Sequence, residues 1–116
     1  MGDLTIGATI FEQTTSQNLA IGALSFTTSF GTDIRLGYIT FHFSSSVTQT
    51  VTVTIDALAG ATFDTVIDEV KLNTESDYIL QLPDLLLKKG NELRIQCTNT
   101  ATPASIVYVV ASVEQE

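Results

Sequence analysis

The segment Val47-Thr48-Gln49-Thr50-Val51-Thr52-Val53-Thr54-Ile55-Asp56-Ala57 decides how the rest of the chain is read. Val47, Val51, Val53, Ile55 and Ala57 share one parity, and Thr48, Thr50, Thr52, Thr54 and Asp56 share the other. Gln49 alone breaks the apolar set. A strand sends successive side chains to opposite faces, whereas a helix would spread these threonines around its circumference. The segment is therefore a strand with one face in a core and a hydroxyl-rich face outside. β-Branched side chains are stiff at χ1 and suit a pleated surface. They supply 37 of the 116 residues here, as 18 Thr, 10 Ile and 9 Val, so strand is the first expectation elsewhere too.

Upstream, Ile34 to Ser44 reads as a strand with Ile39, Phe41 and Phe43 on one face and Tyr38, Thr40 and His42 on the other. Ser44-Ser45-Ser46 follows as a polar connection. Leu19 to Phe30 sets Leu24, Phe26 and Phe30 against Ser25, Thr27 and Ser29, and Gly31-Thr32-Asp33 is a turn. Gln13 to Asn18 is polar and reads as a loop. Before it, Leu4, Ile6, Ala8 and Ile10 alternate with polar or small residues, so residues 1–11 are expected to form an extended arm or strand. Downstream, Phe63 to Leu72 fits either a helix, through Phe63, Val66, Ile67 and Val70, or a strand. Strand is preferred because every neighbour is strand. Asn73 to Asp77 is a turn and Tyr78 to Leu82 a short strand. Lys88-Lys89-Gly90-Asn91 reads as a hairpin turn between Leu85-Leu86-Leu87 and the alternating Glu92 to Thr98, with Leu93, Ile95 and Cys97 inward. Asn99 to Ala104 is a loop, and Ser105 to Val113 the last strand. Six consecutive apolar positions, Ile106 to Ala111, read as burial on both faces. The expected fold is all-β, a single domain over residues 1–116 with about eight strands. It is a β-sandwich of jelly-roll or Greek-key type, with a closed barrel as the alternative.

The formal net charge is −8, from thirteen acids and five bases. An anion of that strength repels phosphate backbones and anionic lipid heads, so no nucleic-acid and no membrane partner is expected. No apolar run reaches the ~18–20 residues of a membrane span. The start Met1-Gly2-Asp3-Leu4 has neither the basic nor the apolar region of a signal peptide. One cysteine rules out an internal disulfide. Charged residues are only 16% of the chain, so solubility rests on Thr, Ser, Asn and Gln, whose surface costs less to cover than carboxylates. The bases Lys88, Lys89 and Arg94 flank one turn. They either meet an acidic partner or keep that turn soluble, and the second is favoured.

Little in the sequence points to chemistry. His42, the only imidazole, lies in Phe41-His42-Phe43 on the outward parity. Cys97 sits in an apolar set with Leu93 and Ile95, where a thiol is inert. One Cys and one His cannot hold a structural zinc. Asn73, Glu75 and Asp77 place oxygen donors two apart, as calcium loops do. The segment nevertheless lacks the bend glycine and the downstream bidentate Glu. Asp64, Asp68 and Glu69 read as a solvated face. Without Trp, the aromatic candidates for a carbohydrate platform are Tyr38, Tyr78 and Tyr108. No catalytic, cofactor-binding or metal-ligating residue is expected, and the chain is not expected to be an enzyme.

The stretch Asp84 to Thr100, followed by Val107-Tyr108-Val109-Val110, resembles the C-terminal half of small β-sandwich proteins of tailed-phage virions, capsid decoration or cement proteins among them. The resemblance covers residues 63–113 and rests on a generic strand-turn-strand pattern. It implies a non-catalytic structural protein, made in the host cytoplasm and located in the virion. Its partners would be itself, as a dimer or trimer, and a major capsid or other virion protein. The expected assembly contacts are the arm residues Leu4, Ile6, Ile10 and Phe11 and the final-strand residues Val107 and Val109, because together they offer more apolar surface than one small sandwich needs. A carbohydrate-binding module, or a tail, fibre or adaptor protein, is the alternative.

Overall fold

The computed structural model describes residues 10–81, 85–100 and 104–115. The described residues form nine strands: β1 Ile10–Asn18, β2 Leu24–Ser29, β3 Ile34–Val47, β4 Thr50–Asp56, β5 Thr65–Lys71, β6 Glu75–Gln81, β7 Leu86–Leu87, β8 Glu92–Cys97 and β9 Ile106–Gln115. A 3-10 turn at Ala61–Phe63 precedes β5, so the ambiguous segment is a strand. One antiparallel sheet has the order β1-β9-β3-β6, with β7 also on β3; the other has the order β2-β8-β4-β5. Read side by side, the two orders place β1 with β2, β9 with β8, β3 with β4 and β6 with β5. A long hairpin rolled into two layers gives this order, so the sandwich is a jelly roll and not a closed barrel.

The core is the inward parity of both sheets. It contains Ile39, Phe41, Phe43, Val107, Val109, Ala111 and Val113 from one and Leu24, Val51, Val53, Leu93, Ile95 and Cys97 from the other. In β3 the inward parity changes: Ile34 and Leu36 are buried, and so are Ile39, Phe41 and Phe43. The cause is a bulge. Leu36 pairs with Val113 and Tyr38 with Ser112, leaving Gly37 as the extra residue. A Cβ at Gly37 would stand 3.1 Å from the Ser112 carbonyl oxygen, so this position suits glycine.

Several expectations need correction. Asn73 to Asp77 is a turn only at its start, since Glu75 to Asp77 open β6. Gln13 to Asn18 is not a loop but most of β1, in unbroken register with β9 from Ile10↔Glu114 to Asn18↔Ile106. Ser44 to Ser46 belongs to β3, as does Val47. Hydroxyls from both sides tie this end of β3 to the start of β9: Ser44 Oγ accepts the Ile106 N–H at 2.9 Å, and Ser105 Oγ donates to the Ser45 carbonyl at 3.0 Å. Lys88 to Asn91 does not close a hairpin. Leu86 and Leu87 pair with Arg35 and Ile34 in one sheet, while β8 pairs with β2 and β4 in the other. The turn carries the chain between layers, with Gly90 at φ 94°. Finally, Thr54 is buried although it lies on the outer parity of β4. It is in register with Arg94, whose guanidinium reaches Asp56 at 2.7 Å and Asp64 at 3.5 Å.

Candidate assembly surface

The arm residues Leu4 and Ile6 lie outside the described residues. Ile10 and Phe11 open β1, 67 and 38% exposed. Val107 and Val109 are corrected as contacts: at 0 and 1% exposure they are core residues. β9 runs between β1 and β3, so these side chains meet the opposite sheet. The six apolar positions of β9 are a core face plus a partly open outer face, not burial on both faces.

That outer face was not singled out by the sequence reading. Register places Asp77, His42, Tyr108 and Ser16 in one row across β6, β3, β9 and β1. Ile79, Thr40, Val110 and Thr14 form the next, and Gln81, Tyr38, Ser112 and Glu12 the third. Ile79 and Tyr108 are 60 and 46% exposed, Val110 and Tyr38 are half-buried, and Thr40 separates Ile79 from Val110. A fourth row, Arg35, Glu114 and Ile10, brings charge onto the ends of β3 and β9; the other charged positions of this face are Asp77, beside His42, and Glu12 on the edge strands. The signal was available in the alternation of β6, where Asp77, Ile79 and Gln81 share the parity opposite Tyr78 and Leu80.

His42 faces out as expected. Its Nδ1 lies 2.7 Å from Asp77 Oδ1, and its ring stacks beside Tyr108 with centroids 6.3 Å apart. The hydrogen bond to His42, and secondly the one from Ser76, hold the Asp77 carboxyl below the ordinary carboxylate range. The oxygen donors of the 73–77 segment are directed apart. Glu75 accepts the Asn73 N–H at 3.2 Å while Asp77 turns to His42. Among the described residues no group of three His, Cys, Asp or Glu side chains is placed to hold a metal. Burial raises the Cys97 thiol to about 11, which keeps it protonated and unreactive near neutrality.

Two features read as surface are structural. Asp64 accepts the Ala57 N–H at 2.8 Å and lies beside Arg94. Asp68 points inward from β5, in register with Val53, and accepts the Tyr78 hydroxyl proton at 2.8 Å. Tyr78 is therefore not an exposed platform. Its ring packs 5.9 Å from Phe41, and desolvation followed by the Asp68 bond raises its pKa to about 12. The bases of the 88–94 region also serve internal acids. Asp33 receives the Lys89 N–H at 2.8 Å and has Lys88 Nζ at 3.5 Å, and Arg94 is held by Asp56 and Asp64.

The four strands at the layer edges differ. On one side β1 lies beside β2, with a shallow groove between them lined by Phe11, Gln13, Ser29 and Phe30. The fifteen residues of these two strands carry one charge, Glu12, and neither strand is bulged against its partner. On the other side β5 and β6 carry Asp68, Glu69, Lys71, Glu75 and Asp77, and both have register shifts.

No protein-family model and no curated protein sequence matches the chain. Among solved structures it is similar to a chain of the infectious bursal disease virus Gt strain, with 10% identity and a TM-score of 0.39, covering 94% of this chain and 38% of that one. A chain of the Gx strain gives 12% identity and a TM-score of 0.35, covering 93% and 40%. The protein thus spans about two-fifths of the length of either, and neither comes from a tailed phage. Among the described residues no helix is long and apolar enough to cross a membrane.

Proposed function

We propose that this protein is a non-catalytic structural component of a virion, of the capsid decoration or cement kind, and that it acts through its exterior. The observation that carries the reading is the outer face of the β1-β9-β3-β6 sheet. Tyr108, Val110 and Tyr38 on its two middle strands and Ile79 on edge strand β6 give it an apolar stretch with the acids Asp77, Glu12 and Glu114 around it, on a molecule that is strongly anionic. Such a face desolvates cheaply, and its exposed aromatic residue is a residue type that anchors interfaces. Each contact can be weak where several subunits bind one shell, because later contacts are effectively intramolecular. Co-sedimentation of the purified protein with virions of its source tests the reading. Ile79→Lys and Tyr108→Lys should each reduce occupancy at least tenfold while leaving the circular dichroism unchanged. Undiminished occupancy in both variants would overturn the assignment of this face.

A carbohydrate-binding module is the second reading, favoured by the Tyr108 ring lying beside His42 and Asp77 on an open sheet face. A glycan array distinguishes it: saturable binding lost in Tyr108→Ala would favour the module over the shell component.

A further inference from the structure

We propose that a second copy of this chain pairs with β1, strand to strand and antiparallel, about a two-fold axis passing through Thr14. The inference deepens the reading above by naming the surface for self-association. Its test uses the isolated protein, so the two can fail separately.

An edge strand exposes a row of unpaired N–H and C=O groups that templates another strand. Natural sheets blunt such edges with charge, bulges, inward-pointing charges, proline or shortness. The far side of this sandwich uses several of these: a bulge and the inward Asp68 in β5, a register shift and two acids in β6, and a β7 of only two residues. β1 uses almost none. It runs for nine residues with no proline and no register shift, it carries only Glu12, and among the described residues nothing pairs with its outer edge.

Charge leaves a second copy this side to approach. Two copies at −8 repel, but β1 and β2 carry one acid between them against four on β5 and β6, and that one acid has a hydroxyl to face in the self-paired register. Symmetry selects the register. An antiparallel strand pairing with itself is isologous, and centring it on Thr14 uses all nine residues. It sets Gln13 against Thr15, Glu12 against Ser16, Phe11 against Gln17 and Ile10 against Asn18. The two Glu12 carboxylates then face hydroxyls instead of each other. Centring on Glu12 would oppose them and shorten the ladder. Pairing on Thr14 joins two five-stranded sheets into one continuous sheet, with Ile10 and Phe11 of each copy at the ends of the seam.

The register makes the test specific. Directly opposed residues in an antiparallel pair have Cβ atoms about 4.5–5.5 Å apart, near disulfide reach. Thr14 is exposed, and the native Cys97 is buried and does not compete. Under mild oxidation Thr14→Cys should convert mostly to a covalent dimer, while Glu12→Cys, whose two copies would lie four positions apart, should stay monomeric. Sedimentation of the unmodified protein should give twice 12.5 kDa at micromolar concentration. Thr14→Lys should weaken that dimer at least tenfold, with dimerisation recovered on mixing with Thr14→Glu. Equal cross-linking of the two cysteine variants, or a wild type that stays monomeric at several hundred micromolar, would overturn the proposal. A wild type that dimerises as expected but does not co-sediment with virions would instead count against the virion reading and leave this pairing standing.

Discussion

The two sides of this sandwich are built from the same kind of strand and treated in opposite ways. On the β5–β6 side the layers are tied together: Tyr78 reaches from β6 to hydrogen-bond the inward Asp68 of β5, and the strands outside that bond are charged and bulged. On the β1–β2 side the layers end in Thr, Ser, Gln and Asn, with Phe11 and Phe30 lining the gap. A monomer selected only for solubility would gain by defending both edges. Defence of one edge alone shows where the molecule must avoid other strands, and leaves the other able to accept one.

The largest expected effect removes the comparison altogether. Val53 is fully buried between the layers, and Val53→Asp places an unpaired carboxylate there, at a cost of about 4 kcal/mol or more. Loss of soluble expression is expected, whereas Thr52→Asp on the outer parity should express normally. Equal tolerance of both would break the assigned register. Next in size is conversion of one side into the other. Asp68→Val combined with Glu69→Thr strips β5 of its inward and outward acids. Light scattering should then show new self-association through that edge. A variant as well dispersed as the wild type would mean that charge is not what keeps this edge unpaired.

The strands whose faces differ in polarity were legible in the sequence. The Val/Thr alternation of β4, the Leu93-Ile95-Cys97 set of β8 and the Ile39-Phe41-Phe43 set of β3 bury the side expected, with Thr54 the exception in β4. What failed was polarity taken as a sign of a loop. Gln13 to Asn18 is polar on both faces because β1 lies at the rim, where even the inner parity is only half covered. Its strand character comes from pairing with β9, a long-range partner that no local pattern reports. The same blindness to partners made Lys88 to Asn91 look like a hairpin, since a change of layer and a hairpin use the same turn residues. It also made Val107 and Val109 look like surplus surface, because six apolar residues in a row do not say which face has a sheet opposite it. The exposed apolar surface was correspondingly half legible: Ile10, Phe11 and Tyr108 are exposed, while Val110 and Ile79 join Tyr108 on one face only once three strands are in register.

A smaller effect measures how firmly the closed side is held. Tyr78→Phe removes the hydroxyl that Asp68 accepts and leaves a half-buried carboxylate without it, costing about 1 kcal/mol. Its pH signature has a definite sign. The folded Tyr78 keeps its proton to about 12, above the value near 10 of an unfolded tyrosine. The folded state therefore binds the proton more tightly, and its stabilisation is complete below pH 10 and lost as pH rises towards 12. Subtracting the Tyr78→Phe alkaline melting profile from that of the wild type should isolate this decline. Parallel profiles would mean that the tie is not made in solution.

The smallest effect concerns His42 and Asp77, which share that side but lie in solvent. The Asp77 carboxyl is held low by its bonds to His42 and Ser76, so any stabilisation it gives is present above the ordinary carboxylate pKa and is lost as pH falls through the lowered value. Exposure screens the pair, so Asp77→Asn should leave the melting temperature at pH 7 nearly unchanged. His42→Gln should nonetheless move the Asp77 titration, followed by NMR, back towards the ordinary range. A fall of several degrees in Asp77→Asn would mean that the rim pair, and not Tyr78 with Asp68, holds the closed side. An unchanged melting temperature with a shifted titration would leave Asp77 one role there, as a charge that keeps β6 from accepting a strand.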